Sequence, residues 1–504
     1  MLSSTHSVAF AGIHVLKVNI EVQITNGLPA FTIVGLADKA IAESQERVRA
    51  ALHSMGLSLP AAHITVNLAP ADVVKEGTHY DLPIAIALMG AMGIISPEEI
   101  YPFIMMGELG LDGSIRQVSG VLPAAMTAYR HDLGFICPAE QGPEALWSGN
   151  PTIYAPESLL VLMNHLKGTQ LLSRPTKVLQ QMSVAMPDLK DIKGQETAKR
   201  ALKIAAAGNH NLLMVGPPGS GKSMLAARLP SILPPMTQDE ILEVSQIHSI
   251  AGLLKDGQLV TTRPFRSPHH SASTPAMVGG GLKANPGEIS LAHRGVLFLD
   301  ELPEYTRQTL EALRQPIETG VVSVARANVH VTYPARFQLI AAMNPCKCGY
   351  LGVAGHECSR APRCAEEYQA RISGPMLDRF DMQIEVPLIQ PWELASQKSG
   401  TDSATVQKRV EAARAFASDR FQKYKIHNNA EADGQVLEEI AVLTKEAESF
   451  LVEAAKKMML SGRGYHRMIR VARTIADLDQ SDTILVNHVA EALSFYRSSR
   501  FRKD

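Results

Sequence analysis

Gly216-Pro217-Pro218-Gly219-Ser220-Gly221-Lys222-Ser223 carries the chemistry around which the chain is ordered. The spacing is G-x-x-x-x-G-K-[ST], a loop that cradles phosphates. Apolar Leu212–Val215 precedes it and reads as a buried strand; Met224–Leu229 follows and opens a helix. Glycines let the backbone curl until its N–H groups face phosphate oxygens, and the helix N-terminus adds partial positive charge. Lys222 is expected to reach the β- and γ-phosphates of ATP, and Ser223 to hold Mg²⁺. A second apolar strand, Gly295–Leu299, ends in two carboxylates: Asp300 suits the same Mg²⁺, and Glu301 suits polarisation of the attacking water. A third, Phe337–Met343, ends in Asn344, a polar group able to orient that water or sense the γ-phosphate.

Four of the five cysteines follow Asn344 closely: Cys346, Cys348, Cys358 and Cys364. Four thiolates suit tetrahedral zinc, although C-x-C is tighter than the usual C-x₂-C. His356 is an alternative ligand, and reduced free thiols are the alternative state. Before Asp300, Arg263–His270 and Gly279–Lys283 are interrupted by Pro and Gly, which excludes regular helix and predicts a projecting loop. Its Arg263, Arg266 and Lys283 suit contact with a polymer backbone such as DNA. His269 and His270 favour a structural or phosphate-contact role over a metal, since adjacent residues rarely share one ion. Val322 to Tyr333 alternates about a turn at Arg326-Ala327-Asn328 and predicts a β-hairpin, with Arg326 at its tip a candidate for DNA phosphate.

The elements that must position these groups follow from the rest of the chain. A length of 504 residues predicts two or three domains. A net charge of −1 excludes a global nucleic-acid footprint, so such a site must be local. Arg497, Arg500, Arg502 and Lys503 make the end basic. The longest apolar run, Leu82 to Ile95, is too short for a bilayer and predicts a core helix, with Asp81 as its N-cap. No basic-then-apolar leader opens the chain, and the few cysteines fit no disulfide scaffold, so a cytoplasmic protein without a membrane partner is expected. Residues 1–168 read as alternating strands plus a helix over Ala37–Met55 that exposes Arg47 and Arg49. Residues 169–187 read as a linker, 188–390 as the phosphate-loop core, 391–405 as a second linker, and 406–504 as helices with Arg470 and Arg473 on the surface.

The three strand ends resemble the core of the AAA+ ATPases. That resemblance puts Asn344 at sensor 1 and Ile192 and Gly194 against adenine. The hairpin is similar to the pre-sensor-1 hairpin of the clade that includes magnesium chelatase and the MCM helicases, where such hairpins line a ring's pore. Leu377-Asp378-Arg379-Phe380-Asp381 resembles that clade's arginine-finger segment, which implies that Arg379 acts on a neighbour's nucleotide, with Arg371 second. Ser461–Arg467 resembles the sensor-2 helix of an AAA+ lid, implying that Arg463, or else Arg467, contacts the γ-phosphate in cis. Residues 1–168 resemble the S5-like Lon-protease fold through Asn67–Pro70, Lys75–Pro83 and Gly107–Gly113. The Ser and Lys of that catalytic dyad fall on Asp81 and near Ala124, which cannot act as nucleophile and base, so a scaffold or nucleic-acid clamp is implied. From first residue to last, with GPPGSGKS, FLDE, AAMNPCKCGYLG and LDRFD, the chain resembles the ComM/YifB family. The fold implied is α/β: an AAA+ phosphate-loop core with a helical lid, preceded by the S5-like domain. The function implied is a hexameric ATP-driven helicase on single-stranded and branched DNA, promoting branch migration during natural transformation. The alternative is a chelatase-like motor remodelling a protein partner. A protease is disfavoured by Asp81 and Ala124, and an AAA+ transcriptional activator by the lack of a GAFTGA loop.

Overall fold

The computed structural model describes residues 2–176, 186–280, 284–326, 329–351, 360–389 and 400–496, side chains excepted at 325, 326, 329 and 330. The first sheet collects β1 (Leu2–Ala11), β2 (His14–Thr25), β3 (Ala30–Val34), β4 (His63–Ala69), β5 (Phe103–Met105), β8 (Gly134–Ile136) and β9 (Ile153–Tyr154) in the order β3-β4-β2-β1-β5-β8-β9. A small hairpin, β6 (Glu108–Leu109) with β7 (Ile115–Arg116), lies beside it. Along the middle of β2 the burial alternates, so Val18, Ile20 and Val22 enter the core and the residues between them face water. Helix Asp81–Ala91 is apolar all round, and every one of its residues is buried.

Three expectations fail here. Asp81 does not cap its helix: its carboxylate accepts from Ser44 Oγ, from Arg47 Nε at 2.6 Å and from the Leu109 N–H at 3.2 Å. Arg47 is accordingly turned inward rather than exposed, and the helix expected over Ala37–Met55 is two, Lys39–Ala42 and Ser44–Ser54. Burial pushes the Asp81 carboxyl above its ordinary range, and the bonds from Arg47 and Ser44 pull it back. Ala124 is fully buried in helix Val121–Arg130.

The second sheet is parallel: β10 (Leu212–Val215), β11 (Phe265–Arg266), β14 (Val296–Leu299), β17 (Gln338–Met343) and β18 (Met382–Glu385), in the order β11-β14-β17-β10-β18. Its central strands are continuous apolar runs because both faces are covered. Leu212 and Met214 point toward helix Glu196–Gly208 and the C-terminal helices; Leu213 and Val215 point toward the hairpin of β15 (Val321–Arg326) and β16 (Val329–Pro334). A two-residue ladder joins β12 (Gly279–Gly280) to β13 (Asn285–Pro286). The segment Arg263–His270 is thus not wholly a projecting loop, since it contains β11 of the sheet.

Helices Ser403–Phe416, Ser418–Tyr424, Gly434–Ile440, Lys445–Met458, Gly462–Leu478 and Val486–Ser494 share one core with this sheet. They are tied to it by Arg200 on Glu491 (2.7 and 2.9 Å), Arg414 on the Ala206 and Ala207 carbonyls, and Leu189 N–H on Ser403 Oγ. Arg473 is fully buried on Asp477 and the Asp482 carbonyl, not a surface charge. The N-terminal domain contacts the parallel-sheet domain, Trp147 Nε1 donating to the Gly257 carbonyl at 3.1 Å. The Gly12 turn between β1 and β2 seats on the Thr332 backbone of β16, and Ser249, in helix Gln238–Ile250, bonds Glu144 (2.6 Å) and the Gly120 N–H (3.0 Å). Among the described residues no helix is long and apolar enough to cross a membrane.

Candidate nucleotide site and its surroundings

The carboxyl ends of β10, β14 and β17 deliver the three expected motifs to one edge, where ligands of open parallel sheets bind. The phosphate loop is pressed against β18, and a Cβ on Gly216 would collide with the Val386 carbonyl. Gly219 and Gly221 take φ of +76° and +90°, the left-handed region that lets the loop close over its own N–H groups. Lys222 is buried, its Nζ 2.7 Å from the Gly216 carbonyl, 2.9 Å from that of Pro217 and 3.3 Å from Asn344 Oδ1. Burial lowers the Lys222 pKa from its ordinary value, and the Asp300 and Glu301 carboxylates oppose that. The Ser223 hydroxyl donates to Asp300 Oδ2 at 2.6 Å. Two hard oxygen donors meeting beside a phosphate loop fit a Mg²⁺ that keeps most of its water. Ile192 is buried beside helix Glu196–Gly208, and the neighbouring Gln195 bonds the Ser220 and Pro387 carbonyls (3.4 and 2.7 Å), which lays Ile192-Lys193-Gly194 along this edge.

Glu301 stands one residue beyond Asp300, with its N–H on Asp300 Oδ1 (2.9 Å) and Oε2 3.3 Å from His270 Nδ1. Sequence reasoning gave His270 no partner, because β11, the strand before it, is only two residues long and shows no period.

After Asn344 the chain turns back over the phosphate loop. Gly349 packs so closely that a Cβ would collide with the Pro218 ring. The sulfurs of Cys346, Cys348 and Cys364 lie within 4.8 Å of one another, Cys346 buried and Cys348 3.1 Å from it. Cys358 and His356 lie outside the described residues.

A separate cleft of about 660 Å³ opens at the other end of the sheet. Its lining includes Asn211, Phe337 and Asp381, which precede β10, β17 and β18. At ~3.3 Å per residue, the four residues of β10 put roughly 13 Å of strand between this edge and the phosphate loop. Arg379 lies here, ion-paired with Glu318 at 2.5 Å, its Nε buried without a partner. Arg463 is exposed in the same cleft. Arg463, expected to contact the γ-phosphate in cis, lines this cleft together with Arg379. Arg467 is committed to the Phe380 carbonyl (2.6 Å) and Asp378 (3.3 Å). Arg371 bonds Glu304 at 2.9 Å.

The basic residues expected on a DNA track divide. Arg263 is mostly buried, bonding the Pro234 carbonyl (2.6 Å), the Arg294 carbonyl (2.7 Å) and Glu240 (3.2 Å), and burial lowers its pKa. Arg266 forms a bidentate pair with Glu288, both contacts 2.6 Å. Both guanidinium groups are bonded to the protein itself. Arg326 ends β15, but its side chain, the tip residues 327–328 and Lys283 are outside the described residues.

Comparison with known proteins bears on this geometry. Family models described as magnesium chelatase, subunit ChlI, match residues 188–394; subunit ChlI of Mg-chelatase, residues 20–141; and the subunit ChlI C-terminal, residues 400–497. YifB of Salmonella typhimurium is 43% identical over 495 residues, spanning 98% of this chain and 97% of that protein. The competence protein ComM of Haemophilus influenzae is 43% identical over 500 residues, with the same shares, and YifB of Escherichia coli 43% over 496. With near-complete coverage in both directions and one AAA+ nucleotide edge, the chain belongs to the ComM/YifB family of magnesium-chelatase-like AAA+ proteins.

Proposed function

We propose that the chain is a Mg-ATP-driven DNA motor that works as a ring, a hexamer by the family's pattern, and promotes branch migration of recombination intermediates in natural transformation. One observation carries the reading: Lys222, Ser223, Asp300 and Asn344 converge at one edge of the parallel sheet, while Arg379 and Arg463 share a cleft at the other. A single copy holds both halves of a hydrolytic site but cannot join them. Copies related head to tail join them at every interface, and such contacts close into rings. In this reading Lys222 holds the β- and γ-phosphates, and Ser223 and Asp300 hold Mg²⁺, which supplies charge neutralisation when bound. Ile192 and Gly194 lie against adenine, Glu301 takes the proton of the attacking water, and Asn344 orients that water. The neighbour's Arg379 and Arg463 meet charge building on the γ-phosphate, Arg379 exchanging Glu318 for it. The C-terminal helices serve as the lid, and the S5-like domain as a scaffold seated on the hairpin base. Cytoplasmic location suits a DNA substrate.

The track is assigned to the β15–β16 hairpin through Arg326, together with Lys283. A neutral protein binds DNA if its few basic groups face one pore, because counterion release depends on local phosphate contacts. The assembled oligomer with Mg-ATP is expected to hydrolyse ATP several-fold faster with single-stranded DNA, and fastest with branched DNA. Arg326→Ala should remove that stimulation, leave basal hydrolysis, and lower the salt slope of DNA binding by about 1. No stimulation by any DNA form would favour the alternative, a magnesium-chelatase-like motor acting on a protein partner.

The thiols of Cys346, Cys348 and Cys364, with Cys358 as the fourth ligand, are assigned to zinc. Protein purified without added metal should carry one zinc per chain by elemental analysis. Metal-free protein with these thiols freely titratable would reduce the cluster to packing around Gly349.

A further inference from the structure

Asn211 stands immediately before β10, the strand that leads to the phosphate loop, and every polar group it has is taken. Its N–H donates to Asp381 Oδ2 (3.2 Å), and its carbonyl accepts from the Asp381 and Met382 N–H groups (3.0 and 3.1 Å). Its Nδ2 donates to the Arg379 carbonyl at 2.9 Å, and its Oδ1 accepts from the Leu339 N–H of β17 at 2.8 Å. A short amide side chain offers that donor and that acceptor together, at a fixed spacing. One residue thereby ties Arg379 to β10 and β17, whose opposite ends carry the phosphate loop and Asn344. Its neighbour His210 is fully buried, with Nε2 2.7 Å from Thr474 Oγ1 of helix Gly462–Leu478 and its carbonyl accepting from Gln338 Nε2 at 2.7 Å. From the same helix, Arg467 donates to the Phe380 carbonyl at 2.6 Å. The backbone at Arg379 and Phe380 is thus fixed from two sides. The Arg379 guanidinium, by contrast, is bonded to Glu318 (2.5 Å) and the Pro375 carbonyl (3.2 Å), with its Nε lacking a partner.

We infer that Asn211 is the positioning residue for Arg379, setting where the guanidinium stands when it reaches the neighbouring copy's nucleotide. The inference rests on the reading of Arg379 as the arginine supplied in trans. Such an arginine is worth about 10³–10⁵-fold in kcat. A misplacement of about 1 Å costs on the order of 10²-fold in rate. Arg379 follows the short helix Gly374–Leu377 and precedes β18, so no regular element runs through it to fix its Cα. Its N–H bonds the Met376 carbonyl at 3.1 Å, and the Asn211 amide supplies the bond on its own carbonyl. Removing that amide releases the Arg379 carbonyl and the Leu339 N–H together, and the turn loses its tie to both strands. The phosphate loop lies beyond the four residues of β10, roughly 13 Å away at ~3.3 Å per residue. Its own contacts, Gly216 against Val386 and Lys222 on Asn344, do not pass through Asn211.

The test places Asn211→Ala on one side of the interface at a time, in full-length chains. In an equal mixture of Lys222→Ala and Arg379→Ala chains, each active interface joins the loop of an Arg379→Ala chain to the arginine of a Lys222→Ala chain. Subunit exchange is followed by energy transfer between labelled chains. Added to the Lys222→Ala chain, Asn211→Ala should lower the recovered ATP hydrolysis about tenfold or more. Added to the Arg379→Ala chain, it should leave the recovery within about twofold of the parent mixture and that chain's ATP affinity unchanged, because sites this far apart act independently. Asn211→Asp, equal in size and still an acceptor for the Leu339 N–H, removes only the donor to Arg379 and should show the same one-sided loss. Equal loss on both sides would make Asn211 a general support of the fold, and loss confined to the Arg379→Ala chain would make it a support of the phosphate loop. Either result, or no loss on either side, would overturn the inference. A parent mixture that recovers nothing, with exchange demonstrated, would show instead that Arg379 does not act in trans, and the inference would fall with that reading.

Discussion

Lys222→Ala is expected to abolish nucleotide binding. The Lys222 ammonium is buried and 2.7 Å from the Gly216 carbonyl, with Asn344 Oδ1 at 3.3 Å, so its charge already sits inside the loop that would surround the phosphates. No other cation stands in Gly216–Ser223, and helix Lys222–Arg228 offers only backbone N–H groups in its place. Removing one partner of a desolvated charge pair costs about 3–5 kcal/mol, on the order of 10²–10³-fold or more in affinity. The fold should survive, because Leu225 and Ala226, which anchor this helix in the core, are untouched. Titration with a fluorescent ATP analogue should show no saturable binding, with the melting temperature close to that of the parent. Binding within threefold of the parent would remove Lys222 from the phosphate site.

The parts of this site readable in the sequence share a physical cause. Strands covered on both faces are mostly apolar, so Leu212–Val215, Val296–Leu299 and Leu339–Met343 stand out as runs, and the polar residues ending them stand out in turn. The hairpin was readable because Val322, Val324, Val331 and Tyr333 alternate and bury one face. What escaped was set by distant partners. Arg47 looks exposed on helical periodicity, yet Asp81, 34 positions away, draws it inward. Arg263 and Arg266 look available for DNA until the Pro234 carbonyl and Glu288 occupy them. β11 is two residues long, too short to show any period, and without it the parallel register that places His270 beside Glu301 is invisible.

The place of Arg463 is set in a different way. Its motif marks a helix, and nothing local says at which end of the sheet that helix begins. Helix Gly462–Leu478 is anchored through Arg467 on the Phe380 carbonyl and Thr474 on His210, residues that precede β18 and β10. Its first turn is therefore held at the amino-terminal edge, beside Arg379, whichever residue senses nucleotide.

The account's central claim is that one copy's phosphate loop is completed by the next copy's arginine, and mixing two inactive variants tests it most directly. Lys222→Ala chains keep Arg379 but bind no ATP; Arg379→Ala chains bind ATP but lack the finger, a loss of about 10³-fold or more in kcat. In a ring of equal parts with free exchange, about a quarter of interfaces pair an intact loop with an intact arginine. ATP hydrolysis should then rise from near zero to a substantial fraction of that value, with a maximum near equal mixing. Subunit exchange is confirmed separately by energy transfer between labelled chains. No recovery at any ratio, with exchange demonstrated, would contradict the claim and leave Arg379 as Glu318's partner alone.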